Sequence, residues 1–425
     1  MAISSEFLQL SLILIVAAFA IPISRKVSVI EIPILIGLGI LFGPVLGIIS
    51  HGFAINFMSQ FATVGIGLLG IMIILYSESH RIDIRLFRRL LSKIVLLDTL
   101  GLLITAFVTA FLFSLITGAP LIIGFIFGAI ISPTDPASVI PLLRRMTLSE
   151  DVTGTLIGES MFNDPLSIIL FYLGIALIAP GISQVTIFSD LNVRIGIYAA
   201  TLLYLMMQIL IPAVSGIAVG FLIIYLNKIF NFENLLLGLI LGIILLEFAF
   251  FEALSLTPFP AIIATGAVIG NFSEKSIFWE REANFQANLA VLAQSIIFLL
   301  LGSIITLGQI TSYILLGIIM SLVVMFVARP ASVFPSILLA SLRRSRVKFG
   351  NKVKWFISLV GPRGVVSVVL SAIPYSLGLE YHISILIKWG PVLSVSAIFV
   401  VLLSIILTTV YSPTVGRKLI PPPKD

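Results

Sequence analysis

Apolar runs of about twenty residues, the length that carries an α-helix through a ~30 Å hydrocarbon layer, recur from one end of this chain to the other. Charged or turn-rich breaks divide them into thirteen predicted spans: 6–22, 28–50, 57–76, 93–116, 121–143, 152–178, 195–226, 234–252, 255–272, 286–306, 311–340, 353–379 and 385–411. Pro258 and Pro260 shorten the ninth. With 59% of the 425 residues hydrophobic and only 10% charged, no soluble domain is left over. The expected fold class is an all-α polytopic membrane protein.

The basic residues orient it. Lys and Arg of short loops stay on the cytoplasmic side. Thirteen spans put Arg25, Lys26, the cluster from Arg81 to Lys93, the run from Arg343 to Lys354, and Arg417, Lys418 and Lys424 on one side. Arg144, Arg145, Lys228, Lys275 and Arg281 join them. Only Arg194 and Lys388 fall opposite, while Arg329 and Arg363 lie within spans. The N-terminus is therefore expected outside and the C-terminus inside, and the formal net charge of +6 reflects orientation rather than nucleic-acid binding. The first segment contains AFA but has Glu6 and no Lys or Arg before its apolar run, so a cleaved signal peptide is not expected. There is no cysteine, which excludes disulfides and thiolate metal sites. His51, His80 and His382 fall in predicted loops.

Two spans carry their own interruptions. Span five contains SPTDPAS, where Pro133 and Pro136 bracket Asp135, and proline removes a donor and clashes with the preceding turn. Span twelve contains GPRGVV, with Gly361, Pro362 and Gly364 around Arg363. Span five is fifth of spans one to six, and span twelve is fifth of spans eight to thirteen. An offset of seven reverses direction, which is the pattern of inverted six-helix repeats, and paired discontinuous helices at matching positions mark the midplane site of secondary transporters. Proline and glycine are common in membrane helices generally, but each of these breaks also bears a charge.

Ionisable groups at span centres are costly and face a partner or a water-filled path. Asp98, Asp135, Glu159, Asp164, Arg329 and Arg363 are such groups, and four acids against two bases leave two carboxylates to bind something positive. In GESMFNDP, Ser160 and Asp164 are spaced i,i+4, as are Glu159 and Asn163. Asp164, Ser160, Asp135, Thr134 and the carbonyls of the unwound backbone supply oxygen, the ligand that hard cations require. A carboxylate that holds a cation also holds protons, and competition between the two at one site suffices for obligatory exchange. No G-x-x-x-x-G-K-[ST] loop for a nucleotide is present.

Structural roles compete with these. Glu159 and Arg329 read as a buried pair holding helices together, Asp98 is a candidate partner for Arg363, and Asn163 is either an ion ligand or an interhelical hydrogen bonder. Glu31, Glu247 and Glu252 lie near predicted span ends and are expected to face interfacial water.

Taken in order, SPTDPAS, GESMFNDP, ARP at 328–330 and GPRGVV resemble the NhaP-type sodium/proton antiporters of the monovalent cation/proton antiporter superfamily. The resemblance implies that Asp164 is the essential ion- and proton-binding aspartate, that Asp135 lies beside it, and that Thr134 and Ser160 give oxygens to Na⁺ or Li⁺. It implies a structural Glu159–Arg329 pair, places Arg363 in the second broken helix, and through Asn163 implies electroneutral one-for-one exchange. It also implies a homodimer in a prokaryotic plasma membrane, needing no cofactor besides the transported ions, with a transport domain (93–178 and 311–411) and a dimerisation domain (6–76 and 195–306). Span three ends in YSESH where many relatives have a glycine-bearing acidic motif, so Glu78 is unassigned. The chain stops soon after Tyr411, so control through a long tail, as in animal relatives, is not expected.

Three other classes bear on the same residues. A K⁺ antiporter would share this fold, a passive channel would need a continuous filter, and an intramembrane protease is disfavoured because there is no H-E-x-x-H pair and Asp164 has an amide neighbour, Asn163, in place of a catalytic glycine frame.

Overall fold

The computed structural model describes residues 2–27, 31–54, 57, 66–143, 146, 148–179, 186–342 and 347–420. Helices account for nearly all of them. In chain order they are α1 (Ala2–Val27), α2 (Glu31–Ile40), α3 (Ile66–His80), α4 (Ile84–Leu96), α5 (Leu102–Thr117) and α6 (Leu121–Ile131). There follow α7 (Pro136–Leu143), α8 (Glu150–Ile178), α9 (Thr186–Ile195), α10 (Ile197–Phe230), α11 (Leu236–Ala253) and α12 (Phe259–Phe272). The last are α13 (Ile277–Ile304), α14 (Leu307–Val323), α15 (Arg329–Leu342), α16 (Asn351–Leu359), α17 (Val365–Glu380) and α18 (Ser384–Leu419).

Among the described residues eight helical runs are long and apolar enough to cross a membrane, and shorter apolar helices occupy Glu31–Val45, Leu121–Ile131, Phe259–Phe272 and Val365–Glu380. Much of predicted span 57–76 lies outside the described residues. Both expected interruptions are present: α6 gives way to α7 across 132–135, and α16 to α17 across 360–364. The structure differs from the sequence reading in three places. The ten-residue α9 is too short and too polar to register as a span. His80 closes α3 instead of lying in a loop. Single π turns at Leu97–Gly101 and Val324–Ala328 join α4 to α5 and α14 to α15. Those turns fall in spans four and eleven, which the repeat pattern also pairs.

The chain forms two compact units, residues 1–68, 89–163 and 294–425, and residues 69–88 and 164–293. The four boundaries fall inside α3, α4, α8 and α13. In the first unit, Val139 and Leu142 of α7, Leu156 of α8, Ile337 of α15 and Phe356 of α16 share one buried apolar core. It seats α7 and α16, one half of each broken helix. Backbones approach closely where side chains are absent: a methyl group on Gly124 or Gly128 of α6 would overlap the carbonyl of Ala110 or Ala106 of α5, the small-residue packing that dispersion favours between membrane helices.

In the second unit, Gly216 of α10 lies against the backbone of Ala261 of α12, while Gly266 and Gly270 of α12 lie against the backbone of Tyr76 and His80. Glu247, expected at an interface with water, is buried, and its carboxyl meets Thr265 Oγ1 at 2.6 Å. Sequence position near a span end says how far a residue is from water along the helix, but not which neighbour covers its face.

Candidate ion-binding site

Asp135 begins α7. It is the N-cap, Pro136 is the first helical residue, and the Asp135 Oδ2 accepts from Ser138 N–H at 2.7 Å and from the Ser138 hydroxyl. Capping carboxylates satisfy donors that a helix start leaves open, and their charge suits its positive end. The Asp135 backbone N–H donates to Pro362 O at 2.9 Å, so the first break is bonded directly to the second.

Arg363 completes that clasp. Its Nη1 donates to the carbonyls of Ser132 (2.8 Å) and Pro133 (3.0 Å), and its backbone N–H donates to Ser404 Oγ on α18 at 3.0 Å. A guanidinium at the end of α6 meets carbonyls the helix no longer satisfies and complements its negative pole. Arg363 thus engages the backbone carbonyls of the first break, each of which keeps a second lone pair. Asp98 is buried within the π turn Leu97–Gly101.

The two glycines of GPRGVV are spacers. A Cβ on Gly364 would fall on the Asp135 carboxyl, and one on Gly361 would lie 2.7 Å from Arg329 Nε. Gly364 has φ −138°, so its requirement is room rather than handedness.

Glu159 and Arg329 form a buried, two-pronged pair, with Nη1 on Oε1 and Nη2 on Oε2 at 3.0 Å, and Nη2 also reaches Ile357 O at 3.4 Å. Two parallel charge-assisted bonds are the strongest arrangement available to these groups. The pair ties α8 to α15 and to the last turn of α16. Tyr411 of α18 adds a hydrogen bond from its hydroxyl to Leu359 O at that helix end.

Beside the first break lies an oxygen-rich cluster. Thr134 Oγ1 and Ser160 Oγ are 2.9 Å apart, and Asn163 Nδ2 donates to Thr134 Oγ1 at 2.8 Å. All three side chains are buried. With its amide nitrogen so committed, Asn163 Oδ1 has no hydrogen-bond partner among the described residues. Asp164 is buried one helical turn beyond Ser160 on the same uninterrupted α8, and their i,i+4 spacing puts them on one flank.

The sequence-predicted residues thus separate by task. Thr134, Ser160 and Asn163 meet one another, Asp135 caps and clasps, Glu159 meets Arg329, and Arg363 meets the first break. Ser138 and Ser404 were missed. The D-P-A-S pattern, an N-cap followed by proline at the first helical position, could have pointed to Ser138. Nothing local points to Ser404.

Comparison with known proteins gives a consistent result. The family model described as sodium/hydrogen exchanger, transmembrane, matches residues 12–417. Na(+)/H(+) antiporter 1 of Methanocaldococcus jannaschii is 30% identical over 377 residues, covering 85% of this chain and 81% of that one. The K(+)/H(+) antiporter NhaP of Alkalimonas amylolytica is 25% identical over 395 residues, covering 89% of this chain and 62% of its own length. Among solved structures, that of the sodium proton antiporter MjNhaP1 from Methanocaldococcus jannaschii at pH 8 matches with TM-score 0.84 and 27% identity, over 99% of each chain.

Proposed function

Because this chain belongs to the sodium/hydrogen exchanger family, we propose that it is a multi-pass plasma-membrane antiporter that exchanges one Na⁺ or Li⁺ for one H⁺ by alternating access, ion and proton competing for Asp164. The observation that carries this reading is the buried Thr134–Ser160–Asn163 cluster beside a broken helix bonded to a second one. Thr134, Ser160 and the carboxylates of Asp135 and Asp164 are the oxygen ligands that would replace the ion's hydration shell. Asn163 orients Thr134 and contributes no charge, which suits an electroneutral cycle. Glu159 is spent on Arg329 and serves the scaffold.

Protonated or cation-loaded, the site crosses; empty and charged, it stays, because an uncompensated charge in a low-dielectric interior is prohibitive. Coupling then needs neither nucleotide nor resident cofactor. The Asp135–Pro362 hydrogen bond and the Arg363 clasp let both breaks move as one piece. The proposed moving part comprises 93–178 and 311–411, working against 6–76 and 195–306 in a homodimer, with the N-terminus outside.

Proton flux in proteoliposomes containing a pH-sensitive dye tests the reading, with NaCl, LiCl, KCl or choline chloride added in turn, with and without a voltage clamp. The expected result is dye recovery with Na⁺ and Li⁺, none with choline, and no effect of the clamp. Asp164→Asn should abolish it while leaving the protein folded. Full exchange by that variant would overturn the site assignment, and recovery with K⁺ alone would shift the substrate to potassium.

A further inference from the structure

The second unit holds polar groups that the transport reading does not use. Tyr76 and His80 lie one turn apart on α3, and Glu282 and Gln286 one turn apart on α13, so each pair shares a helical flank. Tyr76, Glu282 and Gln286 are fully buried. Even so, Tyr76 Oη, His80 Nδ1, both carboxyl oxygens of Glu282 and both polar atoms of the Gln286 amide have no hydrogen-bond partner among the described residues. The Tyr76 hydroxyl and the Gln286 amide lie near enough to interact with the Glu282 carboxyl. His80 Nδ1 is 4.0 Å from Glu282 Oε2, too far for a direct hydrogen bond and close enough for a bent bridge through one water.

Charge balance decides what the cluster takes. Buried polar atoms in such number are held by ordered water, and a buried carboxylate needs a counter-charge or a proton. The only basic group within ion-pair distance of Glu282 among the described residues is His80, which carries charge only when protonated. The surrounding groups do not change this. Arg81 adjoins His80 and Glu247 of α11 acts on Tyr76. Glu78 lies between Tyr76 and His80 on α3 but about 200° round the helix from both, and Glu280 and Arg281 are exposed. His80 keeps 13% of its side-chain surface exposed, which gives the cluster a path to bulk protons.

We propose that Glu282 and His80 share one proton across a hydrated cluster closed by Tyr76 and Gln286, a proton-binding site separate from the transport carboxylates. With one proton bound the pair is net neutral, as carboxylic acid and imidazole or as carboxylate and imidazolium. Losing it leaves a buried negative charge between α3 and α13. The inference does not rest on which ion is transported.

Trp279 offers a reporter, being buried on α13 three residues before Glu282. With Trp355→Phe and Trp389→Phe in the full chain, Trp279 fluorescence should titrate as a single-proton transition in choline buffer. Asp164→Asn should keep that transition, Glu282→Gln should lose it, and His80→Gln should move its midpoint by about one pH unit. A transition unchanged in Glu282→Gln, or absent from the parent, overturns the proposal. So does a midpoint in the Asp164→Asn background that follows NaCl against choline, which would make the occupant a monovalent cation. Should Glu282→Gln fail to fold, His80→Gln decides alone, and an unmoved midpoint counts against the site. Loss of exchange with the transition intact would count against the transport reading only.

Discussion

Removing the Glu159 carboxylate leaves the Arg329 guanidinium buried without its two-pronged acceptor, a change that typically costs about 3–5 kcal/mol. Glu159→Ala is therefore expected to lower the apparent Tm and the purified yield sharply, and the Glu159→Ala/Arg329→Ala double variant to recover part of the loss. Equal Tm in Glu159→Ala and the parent would argue against a structural pair. Gly364 makes a different demand. A methyl group there displaces the Asp135 carboxyl, so Gly364→Ala should reduce exchange at least tenfold while Gly350→Ala, in open space, should not; parental rates in Gly364→Ala proteoliposomes would refute it. At this scale the sequence located the charged residues well, because a charge inside an apolar run is visible without neighbours. It could not say that both glycines of GPRGVV exist to clear particular side chains.

The broken helices were legible because proline acts on its own backbone: Pro133 and Pro136 forbid continuous hydrogen bonding whatever surrounds them. The cap that restarts α7 is equally local. Ser138→Ala removes the hydroxyl that steadies Asp135, a loss of about 1 kcal/mol, and a roughly fivefold rise in the apparent KM for Na⁺ is the expected consequence. An unchanged KM in dye-recovery assays would mean that Asp135 orientation does not limit binding. The π turns at Leu97–Gly101 and Val324–Ala328 were not legible. No proline marks either, and an inserted residue in a helix answers to packing as much as to propensity. The two fall in spans four and eleven, and a third π segment, Leu41–Val45, falls in span two.

For the whole molecule, the basic loops lead to an orientation that a cysteine-free chain makes easy to check. Gly308 and Gly350 each have open space where a side chain would begin, so Gly308→Cys should react with an impermeant maleimide added outside intact cells, and Gly350→Cys only after permeabilisation. The reverse pattern would invert the topology. The all-helical apolar character, the two interruptions and the presence of buried charges were determined by the sequence itself, since each depends on a short stretch of chain meeting lipid or lacking a donor. Beyond the Glu159–Arg329 pair, which the sequence reading already named, partnership was decided by the tertiary structure. Arg363 reaches Ser132 across 231 residues, while Glu247 is covered by Thr265 despite its place near a helix end. Which carboxylate or carbonyl a guanidinium meets depends on which helices adjoin and at what depth, and local sequence carries no term for either.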